Sequence, residues 1–323
     1  MERDEHVPSG FSKGIIVPLV KDKSGDVCSS SNYRPITLVR IISNVFEMFI
    51  LNFCADNLVS DDHHFGFKNG LGCANAIFTL KTTTDYFTGR GSSIYAASLD
   101  ISKAFDTVNH YKLMCSLMKV VFPKCLVAML IVWYSNLEIV VRWNMYLSNT
   151  LSARSGVRQG RILSPSLFNI FINLIIVNLK TSNTGCVINR TYPGCCMYSD
   201  DLIILSTFLS GLKAMLTNFL HTCSQLSLSL NAGKSCCVYF GPRCCAVLDD
   251  LVLGNAKITW NSSLVFIFKW KNIGVNIEII RHNFFMYCNN ILSHSSGLCD
   301  LVQLQLHDSY VLPTDTYATA GIN

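Results

Sequence analysis

Apolar and polar positions recur along this chain in patterns that predict a mixture of strands and helices. Ile15–Val20 is rich in β-branched residues and runs into the charged segment 21–26, a strand followed by a turn. Arg34 precedes Pro35 and is therefore biased to an extended conformation. From Ile36 to Leu58, apolar residues recur at helical spacing (Ile42, Val45, Phe46, Phe49, Ile50, Phe53), which predicts a helix. Ala74–Phe87 reads as a second helix and Ile94–Leu99 as a short strand ending at Asp100. Leu113, Met114, Leu117, Met118 and Val121 mark a third helix, closed by Pro123. Ser164-Pro165 is a capping hydroxyl followed by Pro at the first helical position, and the helix it opens is apolar on nearly every side. Asn169 and Asn173 lie four apart on one of its faces. Apolar runs Cys195–Met197 and Leu202–Leu205 then flank a short polar segment, predicting strand, tight turn, strand. A helix over Ser210–Gln225 and a strand at Cys236–Phe240 follow. Alternation in Ala256–Trp260 and the apolar run Leu264–Phe268 predict a closing β-hairpin.

Composition sharpens this picture. At 323 residues the chain is long enough for one to three compact units. It is 50% hydrophobic and only 15% charged, against about 25% charged in ordinary soluble domains, with mean hydropathy +0.34. Much of it must be buried, or it is a fragment whose partner surface is absent. Leu126–Val141 and Ile162–Leu179 look membrane-like, but polar residues interrupt both short of the ~20 apolar residues a span needs. No membrane partner is expected. The first ten residues are too charged and polar for a secretory signal. A formal charge of +5 permits a polyanionic partner without requiring one. The 15 cysteines are scattered through apolar segments. The adjacent pairs Cys195-Cys196, Cys236-Cys237 and Cys244-Cys245 lack metal-ligand spacing, so buried reduced thiols are expected. His282, Cys288 and His294 have no four-ligand zinc pattern.

Chemistry enters with Tyr198-Ser199-Asp200-Asp201, which puts two adjacent carboxylates at the tip of the predicted hairpin. Side by side and ionised, they repel. A divalent cation relieves the repulsion, and hard oxygen ligands suit magnesium or manganese. Two acids in a turn are, by themselves, commonly just solvated.

Ordered segments elsewhere change that balance. Gly14-Ile15-Ile16-Val17-Pro18-Leu19-Val20-Lys21, Asn32-Tyr33-Arg34-Pro35-Ile36, and Phe65-Gly66-Phe67-Lys68 come first. Leu99-Asp100-Ile101-Ser102-Lys103-Ala104-Phe105-Asp106 and Ser155-Gly156-Val157-Arg158-Gln159-Gly160 with Leu163-Ser164-Pro165 follow. Tyr198-Ser199-Asp200-Asp201 and Leu230-Asn231 with Lys234 complete the series. Over roughly residues 11–276 the chain resembles the reverse transcriptase domain of non-LTR retrotransposons of the LINE and jockey type.

The resemblance implies an α+β, right-hand polymerase core. Fingers would span about 11–95 and return near 111–155, and a palm with a small antiparallel sheet would hold Asp100, Asp200 and Asp201. Residues 1–10 would be a tail and 277–323 a partial thumb. The implied activity is RNA-templated DNA synthesis from deoxynucleoside triphosphates on an RNA template and DNA primer, with magnesium or manganese. Asp100, Asp200 and Asp201 would form the metal site, with Asp200 the expected direct ligand and Asp201 second to it. Phe105, five residues past Asp100, resembles the aromatic gate that packs where a ribose 2′-hydroxyl would sit; ordinary core packing is the plainer reading. Asp106 would hold the turn after it. Gln159 and Gly160 would line the incoming nucleotide, and Arg34 would grip its triphosphate, for which a guanidinium is well shaped. Arg158 would contact a phosphate or simply lie on the surface. Lys234 resembles the lysine that protonates pyrophosphate.

Three departures stand out. Ser199 replaces the usual Ala, a change the turn should absorb. Arg161 occupies a position that commonly takes a small or polar residue, and its long cation would crowd the nucleotide or add a phosphate contact. No endonuclease domain precedes residue 11, and the region after the predicted hairpin is short for a thumb. The alternative reading is therefore a truncated, inactive retroelement fragment with residual nucleic-acid binding; a third is an interaction protein with exposed apolar faces. Because such elements copy RNA at chromosomal DNA, the resemblance implies nuclear access, although no basic localisation cluster is visible and a cytoplasmic location stays open.

Overall fold

A computed structural model of the chain describes residues 7–241, 250–253 and 256–260. In chain order, α1 (Ser9–Ser12), β1 (Lys13–Val20) and β2 (Tyr33–Leu38) lead into α2 (Ile41–Phe53), α3 (Cys73–Thr88) and β3 (Ile94–Asp100). Next come α4 (His110–Lys119), α5 (Lys124–Ser135) and three short strands, β4 (Glu138–Trp143), β5 (Tyr146–Leu147) and β6 (Leu151–Ser152). α6 (Ser164–Thr181), β7 (Cys195–Tyr198), β8 (Asp201–Ser206) and α7 (Leu209–Leu226) follow, then β9 (Cys236–Phe240), β10 (Leu251–Leu253) and β11 (Ala256–Trp260). The chain divides into two compact units. The first draws on residues up to Phe67, Ile101–Asn178 and Phe219–Ser229; the second on Lys68–Asp100, Leu179–Asn218 and residues from Leu230 on.

The first unit contains a sheet in the order β2-β1-β4-β5, with β6 pairing β4. β1 and β2 are antiparallel, Val20 opposite Tyr33 and Ile15 opposite Leu38. β4 joins β1 in parallel only as far as Ile16↔Val141. Pro18, two residues on, has no N–H to extend a ladder. α4 opens with Asn109 as N-cap, its side chain accepting from Lys112 N at 3.0 Å. It packs on α5, and Leu113 and Leu117 of α4 and Leu130 of α5 are buried. The paired asparagines of α6 fasten the loop before Phe67: Asn169 Nδ2 donates to Gly66 O, and Asn173 Oδ1 accepts from Asp61 N.

The second unit is built on a sheet in the order β10-β11-β9-β3-β8-β7. β3 lies in its middle, antiparallel to β8 and β9. Its alternation buries Ile94 and Ala96 with Leu205 of β8, Val238 and Phe240 of β9, Leu80 of α3 and Cys186. A strand paired on both edges and lined with buried side chains is a rigid platform for the residue at its end.

Two expectations need correction. The helix expected from Ile36 begins at Ile41, because residues 36–38 complete β2 against β1. Its apolar stripe is only in part its buried face: Ile42, Phe49 and Phe53 are 59%, 60% and 66% exposed, and Ile50 is the stripe residue that is buried, beside Ser43 and Glu47. Phe46 alone of the intervening positions makes an aromatic contact inward, against Phe11 and Trp133. β11 forms a hairpin with β10, upstream of it. The hairpin expected with the run 264–268, the expected partial thumb at 277–323, Cys244-Cys245 and the group His282, Cys288, His294 lie outside the described residues. Seven of the described cysteines are buried, Cys195, Cys196, Cys236 and Cys237 included. No described helix is long and apolar enough to cross a membrane.

Candidate active site

In the second unit the chemistry starts from the turn between β7 and β8. Tyr198 faces Asp201 across the hairpin, so Ser199 and Asp200 form a two-residue connection. Ser199 sits at φ +58, as the first central residue of a primed hairpin turn requires. Glycine favours this conformation; serine is small enough to hold it at a modest cost. On the other edge of β8, Asp201 stands directly opposite Asp100, the last residue of β3. Asp100, Asp200 and Asp201 thus collect at one end of the central strands.

That arrangement is electrostatically unfavourable on its own. Like charges directly opposite in a sheet repel. Burial, then Asp200 and then Asp100, pushes the Asp201 carboxyl up to about 6, with Lys234 acting in the opposite direction. Lys234 is itself exposed. Its turn is stitched to the Asp100 backbone: Asn231 N donates to Asp100 O (2.8 Å), and Asp100 N donates to Ser235 Oγ (3.1 Å). Ser235 Oγ in turn donates to Asn231 O (2.8 Å). Cys73, at the start of α3, has its thiol pushed up by burial and secondarily by Asp201.

Among the described residues, no three His, Cys, Asp or Glu side chains form a ready-made metal cage. The donor set nonetheless suits a hard divalent cation. Magnesium takes one or two carboxylates, completes its shell with water and substrate phosphates, and would relieve the crowding that raises Asp201.

In the first unit, the loop ahead of α6 is pinned residue by residue. Gly156 has φ +89, and a Cβ there would stand 2.8 Å from Asp106 O, so only glycine fits. Gly156 N donates to Val108 O and Val157 N to Phe105 O, both at 2.8 Å. His110 Nε2 donates to Gly156 O at 2.9 Å. Gln159 Nε2 donates to Asp106 Oδ1 (2.9 Å), and Gln159 O accepts from Thr37 N of β2 (2.9 Å). Gly160, at φ +88, would bring a Cβ within 3.3 Å of Ile36 Cγ2. Phe105 is half-buried and stacks on Phe168 at 4.1 Å, with Phe67 edge-on at 6.0 Å. Arg34 is exposed on β2, and its side chain makes no hydrogen bond or ion pair with the described residues.

Arg158 and Arg161 depart from expectation. Both are buried, at 8% and 3% exposure, and both point to Glu47 of α2. Arg158 is neither a surface arginine nor, in this structure, open to a phosphate, and Arg161 turns away from solvent into a carboxylate. Burial, then the charge of Arg161, holds the Arg158 guanidinium down to about 10. Sequence reasoning passed over Glu47, although an acid in the middle of an apolar helix is itself a signal that a cation must meet it.

A family profile described as reverse transcriptase (RNA-dependent DNA polymerase) matches residues 20–270. The Pol polyprotein of the type-2 retrotransposable element R2DM of Drosophila melanogaster is 26% identical over 252 residues, covering 76% of this chain and 23% of the relative. The RNA-directed DNA polymerase of the Drosophila melanogaster mobile element jockey is 25% identical over 222 residues, covering 66% of this chain and 24% of its own length. The chain therefore spans about a quarter of these curated relatives. Among solved structures, telomerase of Candida tropicalis, determined with a fragment of telomeric RNA, superposes with a TM-score of 0.53 at 12% identity. That match covers 97% of this chain and 55% of the telomerase, and it bears on the fold alone: a right-hand polymerase of mixed helices and small sheets.

Proposed function

The chain belongs to the reverse transcriptase (RNA-dependent DNA polymerase) family, with relatives among the non-LTR retrotransposons, and on that premise we propose that it adds deoxynucleotides to a primer 3′ end on an RNA template. The observation that carries the reading is the convergence of Asp100, Asp200 and Asp201 at one end of the central sheet, with Asp201 driven up to about 6 by its surroundings. Converging carboxylates held on a rigid scaffold, one of them perturbed by its surroundings, are what a phosphoryl-transfer site needs.

In the proposed reaction the primer 3′ oxygen attacks the α-phosphorus of the incoming nucleotide, and the bond to pyrophosphate breaks. Asp100 and Asp200, seconded by Asp201, would hold magnesium or manganese. When bound, that cation would supply charge neutralisation at the attacking oxygen and the leaving group. Lys234, anchored through its turn to the Asp100 backbone, would give a proton to pyrophosphate. Arg34 would bind the triphosphate, a role supported by its exposed, unpaired guanidinium. Gln159 and Gly160 would line the nucleotide, and Phe105 would occupy the space a 2′-hydroxyl needs, its ring fixed by Phe168. Arg158 and Arg161, being buried, take a supporting role behind Gln159 and Gly160 rather than a direct contact with nucleic acid. The fingers and palm assignment over 11–276 belongs to the same proposal.

The test is extension of oligo(dT) on poly(rA) with dTTP and magnesium, beside Asp200→Ala. Extension by the parent is expected, with a loss on the order of 10³-fold or more in the variant, about 4 kcal/mol of transition-state stabilisation. A folded parent that binds the hybrid but does not extend it would replace this reading with that of a residual nucleic-acid binder.

A further inference from the structure

Glu47 is an acid with only 5% of its side chain exposed, and every acceptor position on it is engaged by one short stretch of chain. Its Oε1 accepts from Arg161 Nε at 2.8 Å and, more closely, from Arg161 Nη2. Its Oε2 accepts from the backbone N–H groups of Ile162 (3.1 Å) and Leu163 (3.2 Å), immediately before α6 begins at Ser164. Arg158 Nη2 lies 4.0 Å from Oε1. Around this centre, Arg161 Nη2 also donates to Ser43, one turn earlier on α2. Phe11 O accepts from both Arg158 Nη1 (3.2 Å) and Trp133 Nε1 (3.0 Å). All of these residues belong to the first compact unit.

The two arginines bracket Gln159 and Gly160. One carboxylate on a helix therefore fixes the chain on both sides of the two residues assigned to the nucleotide, while Thr37 N and Asp106 fix Gln159 itself. Stability does not explain such a cluster. Two cations share one carboxylate, Arg161 Nη1 has no partner among the described residues, and Arg158 is held down to about 10. Buried ion clusters of this kind are often no more stable than well-packed apolar side chains of the same volume. What they do provide is direction, because charge-assisted hydrogen bonds to a carboxylate fix orientation as well as distance.

We infer that Glu47 is a positioning residue for the polymerase reaction: through Arg158, Arg161 and the Ile162 and Leu163 amides, it sets where Gln159 and Gly160 meet the incoming nucleotide. The inference rests on the proposed function, and it accounts for Arg161, whose size and charge fit this interior site.

The experiment compares the parent with Glu47→Gln and with the apolar triple variant Glu47→Leu/Arg158→Met/Arg161→Met, measuring melting temperature, KM for dTTP and kcat. Glu47→Gln leaves the arginines without a counter-charge and should raise KM about tenfold or more, with a smaller change in kcat. The triple variant separates placement from folding: its melting temperature should return to or exceed the parent's while KM stays high. A triple variant with parental stability and parental KM would overturn the inference and leave the cluster a purely structural element. A folded parent that does not extend primers would sink the proposed function instead. In that event, hydrogen exchange across residues 157–163 decides whether Glu47 anchors the loop. Faster exchange in Glu47→Gln, at a temperature where both proteins are folded, would support the anchor, and unchanged exchange would overturn it.

Discussion

Asp201 shows what a single residue gives up to belong to this site. Its ordinary value is 3.8, and burial together with Asp200 and Asp100 raises it to about 6. Between those values the folded protein holds a proton that the unfolded chain has released. Stability from this group is therefore present at low pH, falls as pH rises from about 4 to about 6, and stays lower above that. Asp201→Asn should accordingly melt higher than the parent at about pH 8, with the difference shrinking to nothing near pH 4. Thermal melts across that range check it, and an equal gain at both ends would assign the effect to something other than ionisation. The same melts with added magnesium test the metal without any turnover. The parent should gain stability at pH 8, and Asp200→Ala should gain little. Phe105 makes a second prediction at this scale. If it guards the ribose, Phe105→Ala should narrow the preference for dTTP over UTP by about tenfold or more, read as the ratio of kcat/KM values. Phe168→Ala, which hollows a fully buried position behind the ring, should instead destabilise the protein by about 3–5 kcal/mol.

Elements differ in how much of them could be read from the chain. Strands β1, β3, β7, β8 and β9 and helices α3, α4, α6 and α7 follow local pattern closely, because their apolar periodicity and caps agree with the way they pack. The hairpin turn at Ser199-Asp200 is legible for the same reason: the polar pair sits where a two-residue connection must fall. α2 misleads because its buried side is decided by a partner 114 residues away, where Arg161 meets Glu47. No window of local sequence contains that pairing. Arg158 and Arg161 look like surface cations for the same reason. Backbone geometry is equally hidden, since a glycine's φ is set by what surrounds it. Gly156 and Gly70 both have positive φ, but a Cβ at Gly156 would meet the Asp106 carbonyl at 2.8 Å, whereas at Gly70 nothing lies within 4 Å. Gly156→Ala should therefore cost more than the about 1 kcal/mol expected of Gly70→Ala, and should displace the loop that carries Gln159. Paired denaturation curves decide it, and equal losses would mean that the close approach yields without strain.

At the scale of the whole molecule, what matters is which positive charges can reach a polyanion. The formal charge of +5 counts every lysine and arginine alike, but Arg158 and Arg161 are enclosed with Glu47, whereas Arg34 and Lys234 are exposed. Binding to a nucleic acid releases counterions only where a cation reaches a phosphate, so the dependence of affinity on salt counts the accessible cations rather than the formal ones. If the protein binds an RNA–DNA hybrid as proposed, log K against log salt concentration should fall linearly. The same holds for the triphosphate assigned to Arg34: in the binding of dTTP to the protein–hybrid complex, Arg34→Ala should make the slope shallower by about 1 for each lost phosphate contact. The paired change Glu47→Leu/Arg161→Met also removes a formal cation but takes it from the interior together with its counter-charge, and should leave the slope unchanged. Fluorescence anisotropy at four or five salt concentrations, on variants shown to be folded, separates the two. A slope that flattens as much for the buried pair as for Arg34 would mean that Arg161 leaves Glu47 when the triphosphate binds, and the interior cluster would then be part of the binding surface.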